Sequence, residues 1–146
     1  MTATAVAKKL GGKRVLRREI TSDLELAEAV RAGLPSQALD AVLAELVEWV
    51  GSQAEVYRVV GSARTLQRKR SARTDLSADE SDRLARLARL VVRAEEALGD
   101  ADKARHWLSQ PNRALGGQRP LTLLDSDAGA LAVERVLGRI EHGVYS

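Results

Sequence analysis

The feature of this 146-residue chain that most constrains its fold is an apolar stripe with helical spacing in its first half. The stripe lies between Pro35 and Gly51, and its members recur at intervals of three and four residues: Leu39, Val42, Leu43, Leu46, Val47 and Val50. Such spacing puts apolar side chains on one face of an α-helix, whereas a strand would need alternation with a period of two. The segment therefore predicts a buried helix, which Ser36 would cap and Gly51 would end.

Serine followed by glutamate three residues later recurs along the chain, and this is the spacing of a helix capping box. The pairs are Ser22 with Glu25, Ser52 with Glu55, and Ser77 with Glu80. Together with the glycines and prolines that interrupt the chain, they predict helices over residues 23–32, 36–50, 52–60 and 77–98. Three more helices are expected over 62–70, over 100–108, and from about 127 almost to the end of the chain, where Ser126 or Asp127 would be the cap. The fold class is therefore predicted to be all-α, with about seven helices.

The composition excludes several classes of protein. The chain has no Cys, so disulfides and thiolate metal sites are impossible. No run approaches the roughly 20 apolar residues that span a bilayer, and the N-terminus lacks the apolar stretch of a signal peptide. We therefore expect a soluble cytoplasmic protein with no membrane partner. The net charge of +3 is too small to indicate that the whole surface binds a polyanion.

Catalytic and metal-binding patterns do not occur in the sequence. The two histidines are His106 and His142, and neither belongs to a metal-binding helix motif. There is no nucleophile elbow, phosphate-binding loop or dinucleotide-binding glycine pattern. Glu141 and His142 are adjacent, so on a helix their side chains would diverge by roughly 100°. We predict that the chain is not an enzyme and that it holds no cofactor or metal.

Basic residues concentrate in two segments, 8–18 and 64–73. Residues 1–21 show no obvious helical period, and Val15 to Ile20 could form a short extended segment. Because chain ends are commonly poorly ordered, we interpret residues 1–21 as a basic N-terminal arm without regular structure.

The second basic segment lies in a pair of short helices that Gly61 separates, which is the outline of a helix-turn-helix. A recognition helix needs polar donors for base edges and cations for phosphates. The second helix of the pair offers these groups, with Leu66 and Ala63 turned toward the core, and the predicted DNA-binding residues are Arg64, Thr65, Gln67, Arg68 and Lys69. The alternative is an ordinary solvated basic surface.

The predicted helix over 77–98 has two distinct faces. Its apolar seam consists of Leu84, Leu87, Val91, Ala94 and Leu98, which could pair with the last helix of the same chain or with a second chain. An arginine series at 83, 86, 89 and 93 lies opposite the seam. We interpret this series as a solvated face with ion pairs along the helix.

The last third of the chain carries an ordered succession of turn and anchor residues. Trp107 precedes Pro111-Asn112 and the Gly116-Gly117 pair, and Trp107 is expected to anchor this loop on the core. The tail then places Ile140, Val144 and Tyr145 among the final seven residues, where chain ends are usually polar. Tyrosine suits recognition surfaces because it offers a large area and one hydrogen bond. The tail is either a recognition surface or a segment folded back on its own core.

These residues resemble the Xre/MbcA/ParS-type antitoxins of bacterial RES–Xre toxin–antitoxin pairs. The resemblance is clearest in the last third, and the residues that carry it are Ala104, Trp107, Leu108, Pro111, Asn112, Leu115, Gly116, Gly117, Pro120, Leu124, Val136, Leu137, Ile140, Glu141, Gly143, Val144 and Tyr145. Ser126-x-x-Gly129 stands where the family commonly has Thr-x-x-Gly. In the first half, Gly33-Leu34-Pro35 and Arg64-Thr65-Leu66-Gln67-Arg68 are also similar to the family.

The resemblance implies three regions: the arm over 1–21, an Xre-like helix-turn-helix and dimerisation region over 22–74, and a toxin-binding domain over 75–146. It implies that the chain inhibits a RES-domain toxin, an NAD-consuming enzyme or ADP-ribosyltransferase, by blocking its active site with the C-terminal segment. The toxin-binding residues would be Arg139, Ile140, Glu141, Val144, Tyr145 and Ser146. Charge complementarity suggests that Glu141 and the terminal carboxylate meet the toxin groups that bind NAD phosphates, or that Arg139 meets toxin carboxylates.

The same resemblance implies operator DNA as a second partner, with repression of the chain's own operon. A homodimer is expected, since helix-turn-helix proteins read paired half-sites. The alternative is a transcriptional regulator whose C-terminal domain only dimerises. A helical scaffold with no DNA role would be favoured if Arg64 and Arg68 were held in internal ion pairs.

Overall fold

The computed structural model describes residues 2–51 and 53–143, and these residues form α-helices and two short 3-10 turns but no strand. The helices are α1 (Thr2–Lys9), α2 (Gly12–Leu16), α3 (Asp23–Ala32), α4 (Ser36–Val50), α5 (Gln53–Val60), α6 (Ala63–Ala72), α7 (Ala78–Leu98), α8 (Ala101–Ser109) and α9 (Asp127–Glu141). The 3-10 turns are Arg113–Leu115 and Pro120–Leu123. The all-α prediction is confirmed, and each of the seven predicted helices is present.

Helix α7 is the central element of the fold. It is 21 residues long and packs against α1, α3, α5, α8 and α9. Its predicted seam is buried inside the chain from Leu84 to Ala94, and only Leu98 at its end is partly exposed. From Leu84 to Ala94 the seam therefore packs against other helices of the same chain, which include α9. Both halves of the molecule share one continuous apolar core.

Helix starts follow the predicted caps at most positions. The hydroxyls of the predicted caps Ser22 and Ser126 each accept a hydrogen bond from a backbone N–H three residues later, and so does that of Ser62, which was not predicted as a cap. Ser77 and Glu80 form a complete capping box. The prediction that Ser36 caps α4 is wrong. Pro35 holds the cap position, and Ser36 is the first helical residue, with a buried side chain. The predicted cap Ser52 lies outside the described residues.

The prediction that residues 1–21 lack regular structure is wrong for the residues that the structure describes, which begin at Thr2. Helix α1 packs against α7 through Ala3, Val6 and Ala7, and the stripe continues to Leu10. Leu16 and Ile20 are buried as well. Burial of this apolar stripe fixes the segment on the core. Lys8 is exposed, whereas Lys9 Nζ donates to Glu45 of α4 and to Glu95 of α7, both at 2.7 Å.

The loop between α8 and α9 is held by its own hydrogen bonds. The side chain of Asn112 caps the first 3-10 turn, and its backbone pairs with Gln118 across the Gly116-Gly117 turn, where both glycines have positive φ. Trp107 is partly buried against the core, as predicted. Gly129 allows the start of α9 to lie against the backbone of Leu123, because a Cβ at this position would collide with the Leu123 carbonyl oxygen. This contact fixes where α9 begins.

Candidate functional site: two basic helix faces

The first candidate surface is the outer face of α6. Leu66 is fully buried, and this orients the helix so that Arg64, Gln67 and Arg68 are exposed. Thr65 is half-buried at the edge of the face. Ala63 is exposed, so its predicted place in the core is wrong. No ion pair in the described part of the chain involves Arg64 or Arg68.

The other two cations of α6 are held by internal contacts. Lys69 Nζ donates to Glu80 Oε1 at 2.6 Å, which ties α6 to the start of α7. Arg70 pairs with Asp40 of α4, and its guanidinium also donates to the Tyr57 hydroxyl. Burial alone would raise the pKa of Glu80, but hydrogen bonds from Lys69 and Ser77 outweigh it and hold that pKa below its usual value. Lys69, one of the predicted DNA-binding residues, is therefore part of a helix–helix contact.

An arginine ladder joins α7 to α9. Three arginines of α7 meet three acidic residues that are spaced two helical turns apart on α9, and the pairs are Arg86 with Asp127, Arg89 with Glu134, and Arg93 with Glu141. The predicted solvated face is therefore wrong at Arg86, which is only 9% exposed and also contacts Asp82. The pairs of the ladder join two different helices. The spacing of residues within one helix therefore could not indicate them.

The predicted toxin-binding residues differ in their surroundings. Ile140 packs partly against the core, while Arg139 is exposed. Glu141 is exposed but engaged, since both of its carboxylate oxygens accept from the Arg93 guanidinium, at 2.9 and 3.1 Å. That contact holds the pKa of the Glu141 carboxyl below its usual value. Val144, Tyr145 and Ser146 lie outside the described residues.

The outward face of α9 carries a basic strip that the sequence reasoning missed as a set. Arg135, Gly138, Arg139 and His142 follow the spacing i, i+3, i+4, i+7 and line a shallow hollow of about 390 Å³. Gly138 leaves its surroundings open, because the nearest atom to a Cβ built there is an Arg93 nitrogen at 3.9 Å. The helical spacing of these residues was a signal that could have identified the strip.

A second hollow that was not predicted lies where α4 meets α8. Both tryptophans, Trp49 and Trp107, line it with Leu98 and Pro111, and its volume is about 440 Å³. The Arg105 guanidinium lies over the Trp49 ring at 5.5 Å from its centroid. Trp49 was overlooked because the apolar stripe of α4 does not include it.

Comparisons with known proteins match both halves of the chain. A family model described as the antitoxin Xre-like helix-turn-helix domain matches residues 25–89, and one described as the antitoxin Xre/MbcA/ParS C-terminal toxin-binding domain matches residues 93–143. A protein named antitoxin Xre from Yersinia enterocolitica is 34% identical over 140 residues, which cover 91% of this chain and 92% of the relative. The chain belongs to the Xre antitoxin family.

Two further relatives are similar over shorter stretches. An antitoxin Xre from Photorhabdus laumondii is 37% identical over 117 residues, or 78% of this chain and 76% of the relative. A protein from a Sphingobium species, named Prs ADP-ribosylating antitoxin, is 32% identical over 91 residues, or 56% of this chain and 57% of the relative.

The two matched regions divide the molecule at α7. The helix-turn-helix match contains α6 with Arg64 and Arg68, and the toxin-binding match contains α9 with its basic strip. The first match ends inside α7 and the second begins four residues later in the same helix, so one continuous helix joins the two regions. None of the described helices is long and apolar enough to cross a membrane.

Proposed function

We propose that this chain neutralises a RES-domain toxin, an NAD-consuming enzyme or ADP-ribosyltransferase, and that it acts by binding rather than by catalysis. The observation that carries the proposal is the position of the α9 basic strip inside the region that matches an antitoxin toxin-binding domain. The name of the Sphingobium relative, which includes ADP-ribosylation, supports a partner with ADP-ribose chemistry. Both proposed partners, such a toxin and operator DNA, would be met in the cytoplasm.

The strip is suited to a partner that presents carboxylates. Arg135 and Arg139 are exposed one helical turn apart, and Gly138 leaves room for a partner backbone or side chain between them. The opposite side of α9 is held by the apolar core and by the arginine ladder. Because a pre-ordered surface loses little entropy on binding, α9 is a favourable platform for tight inhibition.

The residues after α9 would block the active site. Val144 and Tyr145 would supply contact area in the NAD pocket, and Arg139, Ile140 and Ser146 would flank them. Glu141 has two possible roles. To reach a cationic group of the toxin, it would have to release its contact with Arg93. If it keeps that contact, it positions the end of the helix instead. A guanidinium–carboxylate pair at this exposed position is easily exchanged for a partner's charge.

The test uses the protein encoded by the adjacent gene, purified and supplied with NAD. We expect the native chain to form a complex with it and to reduce NAD loss in proportion to the amount added. Gly138→Leu should weaken inhibition at least tenfold, because its side chain fills the hollow between Arg135 and Arg139.

Gly138→Ala is the matched control for folding. It should stabilise α9 by about 0.5–1 kcal/mol, since alanine is the better helix former and its Cβ has room. Absence of any complex between the two native proteins would refute the proposed inhibition. Full inhibition by the Gly138→Leu variant would exclude the α9 strip as the contact surface.

We also propose that α5 and α6 bind operator DNA and repress the chain's own operon. Exposure of Arg64, Gln67 and Arg68 supports this, and so does the absence of internal ion pairs at both arginines among the described residues. A helical scaffold without a DNA role is correspondingly less favoured. A regulator whose C-terminal domain only dimerises remains the second candidate, and it predicts DNA binding with no effect on any toxin.

A homodimer would place two α6 helices on paired half-sites. Leu24 and Leu131 are large apolar side chains that are 66% and 45% exposed, and they are candidates for its interface. The molar mass from light scattering would decide between a monomer and a dimer. Leu24→Lys or Leu131→Lys should yield a monomer if either residue lies in the interface.

A further inference from the structure

A second group of free cations lies on α2, outside both regions that match family models. Lys13, Arg14 and Arg17 are exposed, and none of them belongs to an ion pair in the described part of the chain. The neighbouring Arg18, in contrast, pairs with Glu28 of α3. Three cations, two on α2 and one at its C-cap, are therefore left for a ligand.

The end of α2 shares a hollow with the segment that follows α6. Arg17 and Arg18 line the same small hollow as Asp75, which follows α6 closely in sequence. The loop between α3 and α4 joins these parts, because the backbones of Pro35 and Asp75 pair and the Leu76 N–H donates to the Leu34 carbonyl at 2.8 Å. Arg73, the residue after α6, is exposed and precedes Asp75 by two residues.

Arg17 and Arg73 occupy equivalent local positions. Each caps the end of its helix with positive φ, at 60° and 56°, and each donates its backbone N–H to a carbonyl of that helix. Non-glycine residues adopt this conformation rarely, and asparagine would fit it better than arginine does. Arginine at both positions places a cation at each helix end.

The length of α6 explains why a ligand would meet both ends. Ten residues make a helix of about 15 Å, whereas the major groove of DNA is about 12 Å wide. A recognition helix reads bases mainly through its N-terminal residues, so its C-terminal end passes over the phosphate backbone. Arg73 would lie there, and α2 would lie just beyond it.

We propose that Lys13, Arg14, Arg17 and Arg73 form a second DNA-contact surface that binds backbone phosphates beside the groove that α6 enters. This proposal rests on the proposed DNA binding by α6. Two acidic residues lie close to these four cations: Asp75 lines the same hollow as Arg17, and Glu19 follows Arg17 by two residues. The group therefore keeps a net positive charge. Phosphate contacts position a protein on the duplex but read no bases, so α2 adds affinity without changing sequence preference.

The test measures binding by fluorescence anisotropy at several salt concentrations. The probes are duplexes covering the DNA upstream of the chain's own coding sequence, and a scrambled duplex of the same length. The variant is Lys13→Gln with Arg17→Asn, because asparagine removes the charge and keeps the positive φ. The control is Lys103→Gln with Arg113→Gln, which removes the same charge from exposed positions on the other half of the molecule.

We expect the Lys13/Arg17 variant to bind both duplexes roughly tenfold more weakly at physiological salt, with an unchanged melting temperature. The slope of log affinity against log salt should fall by about 0.9 for each phosphate that the variant no longer neutralises, or about 2 in total. The Lys103/Arg113 control should retain most of the affinity and slope.

Three results would overturn the proposal. If Arg64→Gln with Arg68→Gln abolishes binding while the Lys13/Arg17 variant binds as the native chain does, α6 binds DNA and α2 does not. If the control variant is weakened as much as the Lys13/Arg17 variant, only net charge matters. If the native chain binds neither duplex, both this proposal and the proposed DNA binding fail.

Discussion

Helices α6 and α7 both carry a row of arginines, yet the two rows have different roles in the fold. Arg64 and Arg68 of α6 are exposed, and no carboxylate pairs with them among the described residues. Arg86 and Arg93 of α7 each meet an acidic residue of α9. A row of arginines thus becomes a helix–helix contact or a ligand surface according to the element that packs opposite it.

The two rows of arginines should affect two different measured quantities. Removing a charge that pairs inside the fold should alter the free energy of unfolding, whereas removing a free surface charge should alter only ligand affinity. Surface substitutions away from structural contacts usually change stability by less than about 0.5 kcal/mol. The two arginine rows can therefore be told apart by measuring stability and DNA affinity for the same variants.

The largest effect is expected for Arg64→Gln with Arg68→Gln. Removal of two arginine side chains that bind bases or phosphates, at about 1–3 kcal/mol each, should weaken DNA binding by about a hundredfold or more. The thermal midpoint should stay within a degree or two of the native value. Fluorescence anisotropy and calorimetry provide the two readings. Unchanged affinity would mean that the α6 face is merely solvated, and the contrast with α7 would disappear.

A smaller effect is expected for Arg86→Gln. Its guanidinium is almost buried and joins Asp127 at the start of α9 to Asp82, so the substitution should lower the free energy of unfolding by about 1–3 kcal/mol. Arg89→Gln is the matched control. Its side chain is 47% exposed and lies 3.5 Å from Glu134, so its removal should cost less than about 0.5 kcal/mol. Equal decreases in stability to urea would contradict the different roles of the buried Arg86 and the half-exposed Arg89.

The smallest effect concerns the pH dependence of stability through Glu80. Because its pKa is lower in the folded chain than in the unfolded chain, Glu80 stabilises the fold above the unfolded value of about 4.3, and this contribution is lost as pH falls through the folded value. Glu80→Gln keeps a capping side chain but removes the charge. Its unfolding free energy should therefore fall less steeply with acidification below about pH 4.3. If the unfolding free energy of the variant fell as steeply with acidification as that of the native chain, Glu80 would not be the titrating group.

Much of the helical framework was predictable because local signals determine it. Capping residues and apolar stripes marked most of the helices from α3 to α9, and the stripe of α4 needed no tertiary information. Helix α1 was missed because Ala3, Val6 and Ala7 are small residues set among threonines and lysines, although their spacing is helical. Ser36 was misassigned because Pro35 can take the cap position itself.

The candidate sites were predictable only in part. Exposure of Arg64 and Arg68 followed from the burial of Leu66, which lies between them on the opposite face. The pairing of Lys69 with Glu80 and of Arg93 with Glu141 depends on how separate helices pack, and no local spacing encodes it. The same dependence concealed the proximity of the end of α2 to Asp75, which follows α6.

The proposal that α6 and the end of the chain act on different partners is tested most directly by one crossed assay. The Arg64/Arg68 double variant and a chain that ends at Gly143 are each measured for DNA affinity and for inhibition of NAD loss by the purified toxin. We expect the double variant to lose DNA binding and keep inhibition, and the shortened chain to keep DNA binding and lose inhibition. Full inhibition by the shortened chain would contradict active-site blocking by the residues after α9.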